Sequence, residues 1–270
     1  MRVRGRLAVL VRLPKLLLAA LLLTASCTSS PGPAPAPAPT DGPSASSPSV
    51  PDPGASPARR GAVRYLPLGD SITEGFGVPG AYRTVLWQEL VERDHDRIDF
   101  VGSQSGGPPS LGDQDHEGHS GWCIVGSCSG GGKDVVLPQI DGWLRTSRPD
   151  IVSIHLGTND ILHGATGFTT ADRLDRLVAR VYAANPDAYV VLVQIIPMAG
   201  RPEQVAYDAL VPKVAAKYRA QGRAVSVVDM STLLTVPTDY RDALHPTQAG
   251  FDTMGMALYP AISTAYRSFT

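Results

Sequence analysis

The sequence is poor in cysteine: its 270 residues hold three, at positions 27, 123 and 128, which allows one internal bridge with one thiol left over. It lacks any long hydrophobic run. The longest, Leu16 to Leu23, has eight residues, against the ~20 that a membrane-spanning helix needs. Beyond the first 26 residues there is no Lys- or Arg-rich tract and no basic stripe, which argues against nucleic acid as a partner. Formal net charge is −1, and without the five basic residues of that leading segment it is near −6. No internal repeat is visible.

The start of the chain has the order of an export signal. Arg2, Arg4, Arg6, Arg12 and Lys15 precede the apolar run, and Thr24, Ala25 and Ser26 follow it. Residues 1–26 are therefore expected to direct export. Cys27 comes next. The stretch resembles the processing box of exported bacterial lipoproteins, with Thr24 where that box usually carries leucine. A lipid on Cys27 would attach the protein to the outer face of the cell membrane, and an ordinary cleaved signal is the alternative. Cys123 and Cys128 lie close enough in sequence to pair in an oxidising compartment, which leaves Cys27 for the lipid. Residues 28–60 hold ten of the 24 prolines, with Val50 the one large apolar side chain. Such composition cannot bury enough surface to fold, so 27–60 reads as a stiff tether, able to reach roughly 100 Å at ~3.1 Å per residue. Residues 61–270 suffice for one domain, expected to be monomeric.

Within that domain short apolar runs alternate with amphipathic stretches. Ala62 to Leu68, Ile98 to Val101, Ile151 to Leu156, Tyr189 to Ile196 and Ala224 to Val228 read as five strands. Leu174, Leu177, Val178, Val181 and Tyr182 recur at helical spacing, as do Val85, Leu86 and Leu90. This alternation implies an α/β fold, a parallel sheet covered on both faces. In such sheets ligands bind beyond the carboxyl ends of the strands.

Four groups are expected at that edge. Gly69-Asp70-Ser71 follows the first strand, Gly102 ends the second, Asn159-Asp160 follows the third, and Asp242 and His245 follow the fifth. A serine hydroxyl needs a base to become a nucleophile. His245 can take its proton and return it to the leaving group. Asp242, three residues earlier, can hold the imidazole in one tautomer. The N–H groups of Ser71 and Gly102 and the Asn159 amide can meet the charge that develops on the carbonyl oxygen.

These blocks resemble those of the GDSL/SGNH hydrolase superfamily, whose Ser, Gly, Asn and His are matched by Ser71, Gly102, Asn159 and His245. The resemblance implies a three-layer α/β/α sandwich with a five-stranded parallel, flavodoxin-like sheet, and a serine esterase with no cofactor or metal. A finer likeness, to carbohydrate esterase family three, rests on Gly80-Ala81-Tyr82-Arg83-Thr84, on Ile98 through Gln104 and on Asp115 through Trp122. It implies O-acetyl esters of polysaccharide such as acetylated xylan as substrate, with Asp70 and Trp122 on the substrate side and Trp122 as a platform for sugar. The Cys-bracketed, Gly-rich stretch from Cys123 to Asp134 departs from that pattern and could edge the pocket. Gly126 to Gly130 imitates a nucleophile elbow with cysteine at its centre, but no strand precedes it. His116, Glu117 and His119 lack the spacing of a zinc helix and are expected to order a loop or lie at the surface.

Three rivals stand beside an acetyl esterase. A lipase or general acyl-ester hydrolase would want a long apolar insertion, and none is visible. An acetyltransferase of the same fold is silent in sequence. A non-catalytic cell-surface carbohydrate binder would have no use for a base beside the serine.

Overall fold

A computed structural model describes residues 61–93, 95–126, 128 and 134–270. The export signal, the tether and Cys27 lie outside the described residues. Five parallel strands form the frame: β1 (Val63–Gly69), β2 (Ile98–Phe100), β5 (Ile151–His155), β6 (Tyr189–Val193) and β7 (Val225–Val228). Each coincides with an expected strand to within a few residues. Two more were not anticipated, β3 (Gln104–Ser105) and β4 (Asp115–Gly118). The order is β3-β4-β1-β5-β6-β7, with β2 also on β1. β2 pairs with the first half of β1 and β4 with its last residues, so one edge of β1 is shared. β3 is the one antiparallel member.

Side chains alternate across the pleat, and the alternation builds two cores. Leu66, Leu68, Val152, Ile154, Val190 and Leu192 face one way. There they meet α3 (Ile140–Ser147), α5 (Gly167–Ala184), α6 (Pro202–Asp208) and α7 (Val211–Arg219). Val63, Tyr65, Ile151, Val191 and Val193 face the other way, against α2 (Ala81–Glu92) and α8 (Gln248–Tyr266). The result is the three-layer sandwich. In α5 the five residues read at helical spacing are all buried, and Thr166 caps the helix by accepting from Thr169 N at 3.1 Å.

Strand order decides where the site lies. From β1 the chain first runs outward to β2, β3 and β4, then crosses to β5 on the other side of β1. The crevice at this reversal opens at the carboxyl ends of β1 and β5, where Gly69 stands in register with His155. Two one-turn helices leave these ends, α1 (Ser71–Glu74) and α4 (Thr158–Leu162).

Candidate active site

Ser71 is the first residue of α1. Its N-cap, Asp70, accepts from Ile72 N at 3.0 Å, which fixes the turn directly after the strand. His245 comes from the long loop between β7 and α8, and its Nε2 lies 3.0 Å from Ser71 Oγ. Its Nδ1 lies 3.0 Å from both oxygens of Asp242. Asp242 Oδ1 also accepts from Leu244 N (2.9 Å) and His245 N (2.7 Å). Burial raises the Asp242 carboxyl slightly, but these amides and the imidazole outweigh it and pull it below the usual carboxylate value. It is therefore ionised at neutral pH. Other buried histidines are held neutral by burial, His116 at about 3 and His155 at about 4.

Asn159 lies against the N-cap of α1, and Gly102 follows β2 on the same sheet. Among the described residues no hydrogen-bond acceptor is found for the N–H of Ser71 or of Gly102. Gly102 has no room for a side chain, since a Cβ would collide with the His116 carbonyl on β4. Asn159, on α4, turns its Nδ2 to Trp122 O at 3.1 Å and, at a long 3.4 Å, to Asp70 Oδ2. The second of these is weak enough to yield to a better acceptor. Asp70, expected on the substrate side, is fully buried; it caps α1 and accepts from Asn159. Burial pushes its carboxyl up to about 7.

The family model of GDSL-like lipases and acylhydrolases matches residues 68–252. The chain belongs to that family. It is 27% identical over 215 residues to a multidomain esterase of Ruminococcus flavefaciens, a match covering 72% of this chain and 28% of that protein. The chain thus spans under a third of that relative's length. A family 3 carbohydrate esterase of Clostridium thermocellum superimposes with a TM-score of 0.66 at 30% identity, over 77% of this chain and 100% of the other. A carbohydrate esterase family 3 structure from Talaromyces cellulolyticus does so at 0.65 and 26%, over 76% and 99%. The matched region is a carboxylic ester hydrolase domain.

Several residues that hold this GDSL-like site together escaped the sequence reading. Arg83, on α2, is fully buried and, among the described residues, has no carboxylate in hydrogen-bond contact. It donates instead to four carbonyls, those of Thr73 (3.0 Å), Glu74 (3.2 Å), Gly106 (2.8 Å) and Gln114 (3.1 Å). It thereby ties α1 to the loop before β4, and burial lowers its pKa to about 10. Its place in the Gly-Ala-Tyr-Arg-Thr run was the available signal. Phe76, half exposed, packs on the His245 ring at 4.7 Å between centroids. Arg241 covers Phe76 from 5.7 Å, donates to its carbonyl and, through its own N–H, to His245 O at 2.9 Å. Gly77 has φ 74°, a left-handed conformation that favours glycine, and a Cβ there would displace the Arg241 guanidinium.

His116, Glu117 and His119 order a loop, and the alternative of a surface position is corrected for the first two. His116 and Glu117 are buried in β4, and His116 Nδ1 accepts from Gly118 N at 3.0 Å. Cys123 and Cys128 are joined in a disulfide that sits on α4. His163 stands beside the two sulfurs but donates its Nδ1–H to Asn159 O at 2.8 Å. Asp160, weighed as a cap, joins this loop to α5 by accepting from Ile124 N (2.9 Å) and Arg173 (2.7 Å). Residues 129–133 of the Gly-rich stretch, with most of the elbow-like pentapeptide, lie outside the described residues. Trp122, expected as a sugar platform, is partly buried and stacks on His119.

Proposed function

We propose that the protein is a serine esterase that removes O-acetyl groups from carbohydrate, with acetylated xylan as the type of substrate. The observation that carries the reading is the continuous line from Ser71 Oγ through the His245 ring to the Asp242 carboxylate, each step 3.0 Å. His245 takes the serine proton as Oγ adds to the acetyl carbonyl. The oxyanion is met by the N–H groups of Ser71 and Gly102 and by Asn159. The imidazolium, held by Asp242, then protonates the departing sugar hydroxyl. Water repeats the sequence on the acetyl-enzyme and releases acetate. Support for the acetyl and carbohydrate part comes from the two family 3 carbohydrate esterase structures, which match over nearly their full length. Export, with attachment through Cys27, would bring this chemistry to polysaccharide outside the cell, and the protein would act as a monomer.

The test is acetate release from a panel of acetylated polysaccharides, run beside an acyl series on one alcohol. A wall behind the carbonyl would make each added methylene an overpacking cost of ~1–3 kcal/mol, so acetate should outrun octanoate at least tenfold in kcat/KM. Ser71→Ala should lower kcat by on the order of 10⁴-fold with folding intact. Faster turnover of octanoate below its micelle concentration would transfer the assignment to a lipase.

A further inference from the structure

Glu117 is a fully buried carboxylate in β4, and all its hydrogen bonds run toward the reacting edge. Its Oε2 accepts from Ser103 N at 2.8 Å, and Oε1 accepts from Ser103 Oγ at 2.6 Å and from His119 Nε2 at 2.6 Å. An ionised carboxylate is the one side chain that can accept from all three donors at once. His119 packs in one aromatic cluster with two indoles, its ring centroid 4.4 Å from Trp122 and 4.6 Å from Trp143, the indoles lying 5.8 Å from each other. These contacts and the bond to Glu117 hold its ring. The main chain of the same turn continues to Trp122, whose carbonyl receives Asn159 Nδ2. Ser120, between them, is fastened to α1 through Glu74.

Resting on the esterase reading above, we propose that Glu117 is a positioning residue for the oxyanion hole, with His119 as its brace. The Gly102 peptide is flanked by two fixed amides. Val101 N donates to Tyr65 O at 2.8 Å, and Ser103 N is held by Glu117. The direction of the Gly102 N–H follows from those two anchors. A short segment of β4 and the turn after it thus sets both donors that do not belong to α1, Gly102 through Glu117 and Asn159 through the Trp122 carbonyl. A donor preset for an oxyanion stabilises the transition state more than the bound ester, so the contribution belongs to kcat and not to KM.

Glu117→Gln tests this. The amide keeps one acceptor oxygen: either its NH2 faces Ser103 N, which loses its acceptor, or it faces Ser103 Oγ and His119 Nε2, which must then both accept from it, with His119 in its other tautomer. Loss of a whole oxyanion donor costs ~10²–10³-fold, and misdirection of one should lower kcat by roughly 10- to 100-fold with KM within about twofold. Inhibition by an arylboronate, whose tetrahedral serine adduct fills the oxyanion hole, should weaken by a similar factor. Unchanged boronate affinity, or a lowered melting temperature with full kcat per folded molecule, overturns the proposal. If Glu117→Gln does not fold, His119→Phe carries the test. It keeps the stack and removes one of three bonds, so kcat should drop ~3- to 10-fold with the boronate following, and an unchanged kcat overturns the proposal. Ser71→Ala run in parallel separates the two failures: if it stays active, the esterase reading falls, and if it is dead while both other variants are fully active, only the role of Glu117 falls.

Discussion

Replacing Asp242 by asparagine changes one atom, and the geometry dictates which way the new amide must turn. Oδ1 accepts two main-chain N–H groups, at 2.7 and 2.9 Å. In Asp242→Asn the carbonyl oxygen must stay there, because an NH2 would face two donors. The amide nitrogen then takes the Oδ2 position, 3.0 Å from His245 Nδ1. A donor at that place favours a lone pair on Nδ1 and competes with the retained Oδ1 acceptor, also 3.0 Å away; where it wins, the ring proton moves to Nε2 and points at Ser71 Oγ. The histidine is then the wrong tautomer to receive the serine proton, and its imidazolium loses a countercharge. Where the acid is buried, this substitution costs ~10⁴-fold. Here the Asp242 side chain is 39% exposed, so water screens part of the charge. We expect kcat to fall by ~10²–10³-fold, or ~3–4 kcal/mol of barrier. KM should stay within about twofold and the melting temperature nearly constant, since both main-chain bonds survive. Steady-state hydrolysis of an acetyl ester at neutral pH, normalised by titration with a serine-directed phosphonate, measures this. A rate within threefold of wild type would falsify the tautomer argument and leave His245 supported by something other than Asp242.

Two further variants probe the frame of the site. Arg83→Met strands four carbonyls, one buried and three partly buried, at ~1–3 kcal/mol for each that finds no donor; with partial relaxation a loss of ~3–5 kcal/mol is expected, which for a domain of this size lowers the melting temperature by roughly 6–20 °C, and a shift under 3 °C in calorimetry would mean that water satisfies the carbonyls. Asp70→Asn keeps the cap on Ile72 and removes a carboxyl that burial holds at about 7; because the folded chain keeps this proton between about pH 4 and 7 while the unfolded chain releases it, wild-type stability should fall as pH rises through that window, the variant's melting temperature should gain on wild type from pH 4 to pH 8, and parallel curves would show that the carboxyl is not desolvated.

What could be read from sequence divides along a physical line. The five parallel strands were legible because their side chains are buried by the hydrophobic effect, which leaves apolar runs such as Tyr189 to Val193. The sharp turns that carry Ser71 and Asn159 were legible through Gly-Asp-Ser and Gly-Thr-Asn-Asp, because tight turns need particular residues. β4 was not legible. Asp-His-Glu-Gly has no apolar residue and no β-branched one, and its burial goes with specific polar partners, some near in sequence, as His119 is to Glu117, and some farther off, as Ser103 is. Arg83 escaped for the same reason. A charge on a helix reads as solvated unless the four carbonyls that desolvate it are known, and they come from three separate loops or turns. The burial of Asp70 was not legible either, because adjacency to Ser71 says nothing about which side of the chain its carboxyl faces.

The short length of α1 explains why so much polar framework is needed. In longer helices the aligned peptide dipoles add at the N-terminus and help to hold an anion there. α1 has four residues, one turn, so this contribution is small. Under the proposed function, stabilisation of an oxyanion beside Ser71 would come instead from individual N–H groups, each placed by its own contacts. Those groups sit on three elements that share no hydrophobic core position at the edge: α1, the end of β2 and α4. Apolar packing cannot set them to the few tenths of an ångström that a hydrogen bond requires, because contacts of this kind carry no direction. Directional bonds can. Arg83 fastens α1, Glu117 fastens the residues after β2, and the Trp122 carbonyl with Asp70 fastens Asn159 on α4. On this argument, substitutions at the fastening residues should act on turnover before they act on substrate affinity, whereas substitutions in the two apolar cores should act on stability with turnover per folded molecule unchanged.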